Sequence, residues 1–280
     1  MTRLAIPLRC LFALALIVYG MSPLQAAQPD WPPNFVIILA DDLGYGDTSP
    51  YGGWIKTPQL ERMSAEGLRF TDFHSSGNVC SPTRAGLLTG RYQQRAGIPG
   101  VVFADPARDA HYTGLQTSEV TLAELLRAAG YATALFGKWH LGYDPKYNHQ
   151  GFDQFIGYVS GNVDYHSHHD NQDRLDWWNG LEKSPEQGYV THLITKHGVN
   201  FIERNRERPF LLYLAHEAVH DPYQGPGEPI LRGPDSVADR VELRDVKDIY
   251  RDMMIELDKG VGEVISKLRA AGLAEKTLVF

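Results

Sequence analysis

The amino-acid sequence has 280 residues, of which 43% are hydrophobic and 22% are charged. This composition is typical of a globular protein, and the length suffices for one large domain or two modest ones, so disordered and collagen-like chains are excluded. The formal net charge of −7 argues against a general nucleic-acid-binding protein. An anionic substrate would have to be attracted by a local cluster of cations or by a metal.

The N-terminus has the pattern of a secretory signal peptide over residues 1–26. Two arginines precede an uncharged stretch at residues 10–20, and small residues follow at the predicted cleavage site near Ala26. The apolar stretch is too short to cross a bilayer, and residues 27–33 are a polar, proline-rich linker. We therefore expect no membrane span and an exported protein, periplasmic or extracellular, or in a lysosome-like compartment if the source is eukaryotic.

The sequence contains two cysteines, Cys10 and Cys80. Because Cys10 is lost with the predicted signal peptide, the exported protein would carry a single thiol in an oxidising compartment, with no internal partner. Such a cysteine is either a buried, inert small side chain or a functional group. The cysteine count leaves both alternatives open.

The first predicted elements are a strand and a helix. Residues 34–40 form a continuous apolar run without alternation, as expected of a strand that is buried on both faces of a parallel sheet. A helix is predicted over 57–67, with Pro58 in its first turn and Gly67 just beyond its end. Residues 68–73 then resemble a strand.

The following segments continue the alternation of helices and strands. A short helix is predicted to begin near Cys80 and to end at Gly90, and another spans 121–130 with Thr121 and Glu124 spaced as a capping box. Residues 131–137 supply the next strand. The alternation predicts an α/β fold.

The remaining chain repeats this pattern after a long interruption. Residues 143–188, rich in Asp, Asn, His and Trp, are predicted to be a surface excursion outside the sheet. A helix over 192–205, a buried strand over 209–215, a helix over 246–271 and a strand over 276–280 follow. The predicted fold class is therefore α/β, with a mainly parallel central sheet flanked by helices.

Two acidic residues, Asp41 and Asp42, stand at the end of the first predicted strand. In open α/β sheets ligands gather at the carboxyl ends of the strands, and two adjacent carboxylates there would be relieved by Ca²⁺ or Mg²⁺. The alternative is a solvated turn, in which Asp is common.

The segment that begins at Cys80 combines a nucleophile with a cation. Pro82 suits the first turn of a helix, which places Cys80 at the helix N-terminus, where backbone N–H groups and the dipole favour an anion. Arg84, four residues on, falls on the same face.

The pattern Cys80-x-Pro-x-Arg84, followed by Leu-Leu-Thr-Gly-Arg at 87–91, resembles the modification motif of the type I, formylglycine-dependent sulfatases, of the arylsulfatase or N-acetylgalactosamine-6-sulfatase kind. The resemblance implies an alkaline phosphatase-like fold. It also implies that a separate maturation enzyme converts Cys80 to formylglycine, whose aldehyde hydrates to a geminal diol.

Two further segments match the family's metal and sulfate site. The resemblance assigns Asp41 and Asp42, with residue 80, as metal ligands, and Lys138 and His140 in the sequence Gly-Lys-Trp-His-Leu-Gly as catalytic residues. Side chains two positions apart at a strand end point the same way, which supports that assignment. The alternative is that Lys138 and His140 are ordinary solvent-exposed residues at the end of a strand, without a catalytic role.

A third match follows the strand predicted at 209–215. Sulfatases commonly have Ala-Pro-His-x-Pro here, which aligns His220 and Pro222 but leaves Val219 where proline is usual. The resemblance implies that His220 acts on the leaving-group side, with His216 as a neighbour that contacts substrate. Either could instead be a buried core histidine.

The polar segment from Asp164 to His169 and the pair Trp177-Trp178 are weaker signals. His166 could contact substrate, and the tryptophans could stack on a sugar ring. Surface polar clusters and core aromatics are the alternatives.

The resemblance implies a sulfuric ester hydrolase that acts on a sulfated carbohydrate or an aryl sulfate. One hydroxyl of the hydrated formylglycine would attack sulfur, while the metal and Lys138 hold the developing charge and Arg84 steadies the nucleophile. His220 would assist the departing alcohol, and His140 would help to deprotonate the second hydroxyl, which expels sulfate. The alternatives are a phosphonate or phosphate ester hydrolase with the same kind of site, and a non-catalytic protein that binds sulfated glycans.

In the family, the strand that resembles residues 276–280 leads into an Asp-Asn pair that completes the metal shell, and a smaller C-terminal domain follows. The resemblance therefore implies that residues 34–280 are the N-terminal portion of a catalytic domain whose C-terminal part is missing. Expressed alone, such a portion is expected to be poorly soluble, inactive and weak in metal binding.

Overall fold

A seven-stranded, mostly parallel sheet lies at the centre of the computed structural model, which describes residues 32–103, 114–143 and 149–280. The strands in chain order are β1 (Asn34–Leu39), β2 (Ala132–Lys138), β3 (Gln154–Tyr158), β4 (Trp178–Asn179), β5 (Glu182–Lys183), β6 (Phe210–Ala215) and β7 (Thr277–Val279). Their order across the sheet is β5-β4-β3-β2-β6-β1-β7. Five strands that are neighbours in the sheet, β3, β2, β6, β1 and β7, run parallel, whereas β4 and β5 are antiparallel strands at one edge.

Five helices accompany the sheet in the part of the chain that the structure describes: α1 (Pro58–Glu66), α2 (Cys80–Thr89), α3 (Leu122–Ala128), α4 (Val190–Arg204) and α5 (Val246–Ala270). Short 3₁₀ turns occur at Ser49–Tyr51, Ala238–Arg240 and Ala274–Lys276. Within the described ranges, no helix is both long enough and apolar enough to span a bilayer. The predicted signal peptide lies outside the described residues.

The two faces of the sheet are covered by different helices, because side chains alternate along each strand. Leu211 and Tyr213 of β6 share one buried cluster with Ala85 of α2 and Ala123 of α3. On the other face Leu214 packs close to Gly198 of α4, where a Cβ atom would lie 2.8 Å from its side chain. Strands β2 and β6 are buried along their whole length, as the predicted parallel sheet requires.

Local signals in the sequence set the helix ends correctly. Helix α1 begins at Pro58 and ends before Gly67. The capping box of α3 is present, since Glu124 N–H donates to Thr121 Oγ1 at 3.1 Å and Thr121 N–H donates to Glu124 Oε2 at 2.8 Å. Helix α2 ends at Gly90 with a φ of 64°, a left-handed conformation that favours glycine.

Two predictions about the strands were wrong. Residues 68–73 form no strand with any described segment, and their apolar side chains are exposed, 89% for Leu68 and 73% for Phe73. The apolar and aromatic residues of this segment resembled a strand, but burial stabilises a strand, and these side chains lack it.

The segment 143–188, predicted to lie outside the sheet, contributes β3, β4 and β5. A glycine in β3 weakened the apolar pattern by which a strand is predicted from sequence. Gly157 of β3 pairs with Gly137 of β2, and a Cβ atom on Gly157 would lie only 2.0 Å from the Gly137 carbonyl oxygen. The close approach of the two strands therefore requires glycine, which weakens the apolar strand signal.

Candidate active site

The carboxyl edge of the sheet brings four distant segments together. Asp41 follows β1, Lys138 ends β2, and His220 follows β6, all three strands being neighbours in the sheet. The N-terminus of α2 brings Cys80 to the same place, where one ligand atom from each of Asp41, Cys80 and His220 lies within 4.8 Å of the others. The parallel topology therefore builds the site at the position expected for open α/β sheets.

A buried charge cluster surrounds Asp41. Its Oδ2 accepts a short hydrogen bond from Lys138 Nζ and a hydrogen bond of 3.3 Å from Arg84 Nη2. The side chains of Lys138 and Arg84 are 0% and 1% exposed. Burial alone would raise the pKa of Asp41, but the charges of Lys138 and Arg84 outweigh it and hold the pKa well below its ordinary value.

Arg84 also connects the helix to the sheet. Its Nη1 donates to the Lys138 carbonyl oxygen at 2.9 Å and to the Tyr213 hydroxyl at 3.3 Å. The guanidinium is therefore fixed in position beneath Cys80. The predicted proximity of Cys80 and Arg84 on one helix, with Lys138 beside them, is what the structure shows.

Cys80 and His220 form a polarised pair at the mouth of the cluster. Burial would raise the pKa of the Cys80 thiol, but a hydrogen bond to His220 and the charge of Lys138 lower it below its ordinary value. Burial would lower the pKa of His220, but the hydrogen bond to Cys80 raises it to about 9. A protonated imidazole therefore faces the sulfur at neutral pH.

A cleft of about 250 Å³ opens in front of this group. Its lining includes Asp41, Asp42, Cys80 and Arg84. The Asp42 side chain is 61% exposed, and its Oδ2 lies 3.4 Å from His220 Nε2. The structure therefore offers both predicted acidic ligands to one solvent-accessible space.

The donors around this cleft fit a hard divalent cation once residue 80 carries oxygen in place of sulfur. Both cation contacts described for Asp41 are made by Oδ2, so Oδ1 remains for a metal. Asp42 supplies a second carboxylate at the same opening. Oxygen ligands are the choice of Ca²⁺ and Mg²⁺, whereas a thiolate is a poor ligand for either.

His140 lies in the interior, 3% exposed. Burial, with the nearby charges of Lys138 and Arg84, keeps the pKa of His140 well below its ordinary value, so its ring is neutral. Its Nε2 lies 2.8 Å from the Val102 carbonyl oxygen, which can only accept, so Nε2 carries the proton. Nδ1 is then a base without a hydrogen-bond partner among the described residues.

The structure does not connect His216 or His166 to the Cys80 group through any contact described. His216 is 1% exposed, and burial lowers its pKa to about 3. His166 Nε2 lies 3.2 Å from the Gly225 carbonyl oxygen, and its ring contacts that of Tyr189. Substrate contact by either histidine stays a prediction.

Of the two alternatives that the sequence left open for Trp177 and Trp178, the structure shows the second, because both are core residues. They are 1% and 8% exposed. Trp177 stacks on the ring of His168 at 4.5 Å, and Trp178 Nε1 donates to Asp176 Oδ1 at 2.5 Å. Buried partners already occupy both the ring face of Trp177 and the polar edge of Trp178.

Sequence reasoning missed Glu217, which lies three residues before His220. Glu217 is fully buried, and its Oε1 accepts a hydrogen bond of 2.7 Å from Val163 N–H. Its Oε2 has no hydrogen-bond partner among the described residues. Burial raises the pKa of Glu217 to about 8, although the Val163 hydrogen bond opposes the shift. Its position directly after a buried strand, between His216 and Ala218, was the available signal.

Glu217 makes stability depend on pH. The pKa of Glu217 in the folded protein lies above the ordinary value of 4.5, so the folded protein binds a proton at this side chain more tightly than the unfolded chain does. The stabilisation that results is fully present below pH 4.5 and is lost as pH rises through about 8. We expect the free energy of unfolding to fall between pH 5 and 8, and Glu217→Gln to flatten that fall. Urea denaturation at several pH values measures how the free energy of unfolding depends on pH, and Glu203→Gln is the surface control. An equal slope in Glu217→Gln would contradict the expectation.

The chain is similar to known sulfatases. Residues 33–280 match the sequence model of the Sulfatase family. It is 34% identical over 292 residues to N-acetylgalactosamine-6-sulfatase of Mus musculus, covering 95% of this chain and 52% of that protein. It is 34% identical over 283 residues to arylsulfatase A of Homo sapiens, covering 89% of this chain and 51% of that protein. The chain thus spans about half the length of these curated relatives.

A solved structure agrees with both the fold and the family. The crystal structure of Ps i-CgsB matches with a TM-score of 0.75 and 29% sequence identity, over 89% of this chain and 57% of that chain. The family match covers nearly all of the described residues, including the four segments that meet at the site. The chain therefore belongs to the sulfatase family.

Proposed function

We propose that the protein is a sulfuric ester hydrolase in which Cys80, oxidised to formylglycine by a maturation enzyme, supplies the nucleophile. The observation that carries this proposal is the position of Cys80, at the start of α2, within 4.8 Å of Asp41 and His220. Buried Lys138 and Arg84 give the same place a positive potential that would hold a sulfate ester. A protein with an overall negative charge needs such a local attraction.

Two groups would complete the site. Formylglycine, as its hydrate, would supply one hydroxyl to attack sulfur, with departure of the alcohol, and a second hydroxyl whose deprotonation would break the C–O bond to sulfate and restore the aldehyde. A divalent cation, Ca²⁺ or Mg²⁺, held by Asp41, Asp42 and residue 80, would supply Lewis-acid stabilisation of the sulfuryl oxygens.

The chain's own residues account for the remaining steps. Lys138 stabilises negative charge on the transferred group, and Arg84 fixes the helix that carries residue 80. His220 gives a proton to the departing alkoxide, while the free Nδ1 of neutral His140 accepts the proton of the second hydroxyl. The roles differ because His220 lies within 4.8 Å of Asp41 and residue 80, whereas His140 is buried, and burial keeps its pKa low and its ring neutral.

The proposed substrate is a sulfated carbohydrate rather than a small aryl sulfate. One relative is named N-acetylgalactosamine-6-sulfatase, and a structure of Ps i-CgsB that is 28% identical to this chain is described in complex with k-i-k-neocarrahexaose. The predicted export of the protein, with a signal peptide at 1–26 and a linker at 27–33, would give access to such material. The domain assignment for 34–280, as the N-terminal portion of a catalytic domain, remains part of this proposal.

A substrate comparison tests the proposal on the protein at its natural length. Mass spectrometry first checks that residue 80 carries an aldehyde, and release of sulfate from sulfated sugars and nitrophenyl sulfate is then measured beside turnover of an aryl phosphonate. Sulfate release dependent on Ca²⁺ or Mg²⁺ is expected. Faster turnover of the phosphonate would replace the proposal with a phosphonate hydrolase, and binding without turnover would indicate a sulfated-glycan binding protein.

His220 should matter most for poor leaving groups. A sugar alkoxide needs a proton more than a nitrophenolate does, so we expect His220→Ala to reduce kcat/KM by about 10²- to 10⁴-fold for a sulfated sugar and much less for nitrophenyl sulfate. Steady-state kinetics on both substrates measures the difference. His192→Ala, an exposed histidine paired with Glu256, is the control. Equal losses on both substrates would favour a sulfate-binding role for His220.

A further inference from the structure

A polar rim, formed by Asn162, Asp221 and Arg232, lies on the side of His220 that faces away from Cys80. Asp221 Oδ1 lies 3.1 Å from His220 Nδ1, whereas His220 Nε2 faces Asp42. Asn162 Nδ2 donates to Asp221 Oδ2 at 3.1 Å, and Arg232 Nη1 donates to Asn162 Oδ1 at 2.9 Å. One imidazole ring therefore separates the polar rim from the charge cluster.

A buried carboxylate, Asp164, holds the polar rim in place. Its Oδ2 accepts hydrogen bonds from the backbone N–H groups of Leu231 at 2.7 Å and Arg232 at 3.1 Å. Burial would raise the pKa of Asp164, but the hydrogen bonds it accepts lower it, so it stays ionised. Ser167 Oγ also donates to the Arg232 carbonyl oxygen at 2.8 Å. The backbone that carries Arg232 is thus fixed independently of its side chain.

The side chains of the polar rim are partly accessible to solvent. The Asp221 side chain is 55% exposed and the Arg232 side chain is 18% exposed, and Arg232 Nη2 lies 4.0 Å from Asp221 Oδ2. An arginine offers five N–H donors in a planar fork, and a carboxylate offers several acceptor sites. The polar rim therefore has capacity to donate and to accept beyond its internal hydrogen bonds.

This chemistry suits a ring that carries hydroxyl groups and does not suit an aryl group. A hydroxyl both donates and accepts, which Arg232 and Asp221 can satisfy together. An aryl leaving group can stack on a guanidinium, but it has no ring hydroxyls to hydrogen-bond with the amide, the carboxylate and the guanidinium of the polar rim. The polar rim contacts, through Asp221, the imidazole that is proposed to protonate the departing alkoxide.

We propose that the polar rim is the subsite for the sugar ring that bears the sulfate, and that Arg232 and Asn162 bind the ring hydroxyls next to the ester. This inference rests on the proposed function and deepens it. A subsite built from hydrogen bonds discriminates strongly, since an analogue that lacks the hydroxyl leaves polar groups unpaired. Arg232 and Asn162 are then specificity residues, and they act on the leaving group without taking part in the transfer of sulfate.

The test compares two specificity constants in the same protein. A panel of monosulfated hexoses and hexosamines is screened, and the best of them is compared with 4-nitrophenyl sulfate in Arg232→Gln and Asn162→Ala. We expect the ratio of kcat/KM for the sugar sulfate to that for nitrophenyl sulfate to fall about 10- to 100-fold in each. Arg206→Gln, which removes an exposed arginine that is likewise paired with a carboxylate, should leave the ratio unchanged. An unchanged ratio in both rim variants would overturn the inference.

A binding measurement separates failure of this inference from failure of the proposed function. The corresponding sulfate-free sugar is titrated into the wild-type protein and both rim variants by NMR. If nitrophenyl sulfate is hydrolysed but no sugar is bound or hydrolysed, the subsite is wrong and the function stands. If no ester is hydrolysed, the function fails, and sugar binding that Arg232→Gln weakens at least about tenfold would still support the subsite. Sugar binding equal in all variants would overturn it.

Discussion

Replacing Cys80 with alanine is expected to reduce sulfate release by about a thousandfold or more, because the reaction loses its nucleophile and not an accessory contact. Among the described residues, Cys80 is a cysteine without a disulfide bond. It is the first residue of α2 and is not among the buried residues of that helix. The fold should therefore survive the change. Sulfate release, with thermal unfolding of the same preparation, measures both effects.

A second variant distinguishes the oxidised residue from a simple hydroxyl. Cys80→Ser keeps an oxygen nucleophile of similar size, but it lacks the second hydroxyl that would expel sulfate, so we expect at most a single turnover. Mass spectrometry of wild-type protein should show an aldehyde at position 80. Fully active protein with an unmodified thiol, or multiple turnovers by Cys80→Ser, would contradict the formylglycine mechanism.

Lys138→Met is expected to lower the free energy of unfolding by about 3–5 kcal/mol, because it removes one partner of a buried ion pair and leaves Asp41 with Arg84 alone. The depressed pKa of Asp41 means that its carboxylate contributes stability above the ordinary value of 3.8, and that this contribution is lost as pH falls below it. Urea denaturation at pH 7 therefore measures the full effect. Sulfate release should be lost as well.

A double-mutant comparison isolates the pair. Asp41→Asn should cost less stability in the Lys138→Met background than in the wild-type protein, because the interaction between Asp41 and Lys138 is already absent there. Lys259→Met removes an exposed lysine that pairs with Glu256, and it should cost no more than about 1 kcal/mol. Additive losses at Asp41 and Lys138 would show that the two side chains do not stabilise each other.

The parallel core could be predicted because its strands bury both faces. The runs that became β1 and β6 are uninterrupted in apolar residues, and the ends of α1 and α3 carry local signals in Pro58 and the Thr121 capping box. Strand β3 was not predicted, because glycines occupy the positions at which it pairs closely with β2 and weaken the apolar pattern. Residues 68–73 resemble a strand in composition, yet the side chains of Leu68 and Phe73 are mostly exposed.

The site was predictable where a motif specifies chemistry, and less so where tertiary packing does. Cys80, Arg84 and Lys138 carry a recognisable pattern, and the structure brings them together around Asp41. The roles of Glu217 and Asp164 depend on burial and on backbone N–H groups that donate hydrogen bonds to them from distant segments. Arg232, whose N–H donates to Asp164, is 68 residues away from it in sequence. A single sequence does not reveal such partners.

The central position of β1 in the sheet has a consequence for synthesis of the chain. Its neighbours are β6 and β7, the last strands in the described sequence, so β1 is the first of the described strands to be made and waits longest for a partner. Phe35 pairs with Leu211, and the roughly 175 residues between them take about 10 to 35 s to translate. During that interval an apolar edge without a neighbour is open to aggregation. We expect newly made chains to depend on chaperones that shield the segment Asn34–Leu39 until β6 emerges.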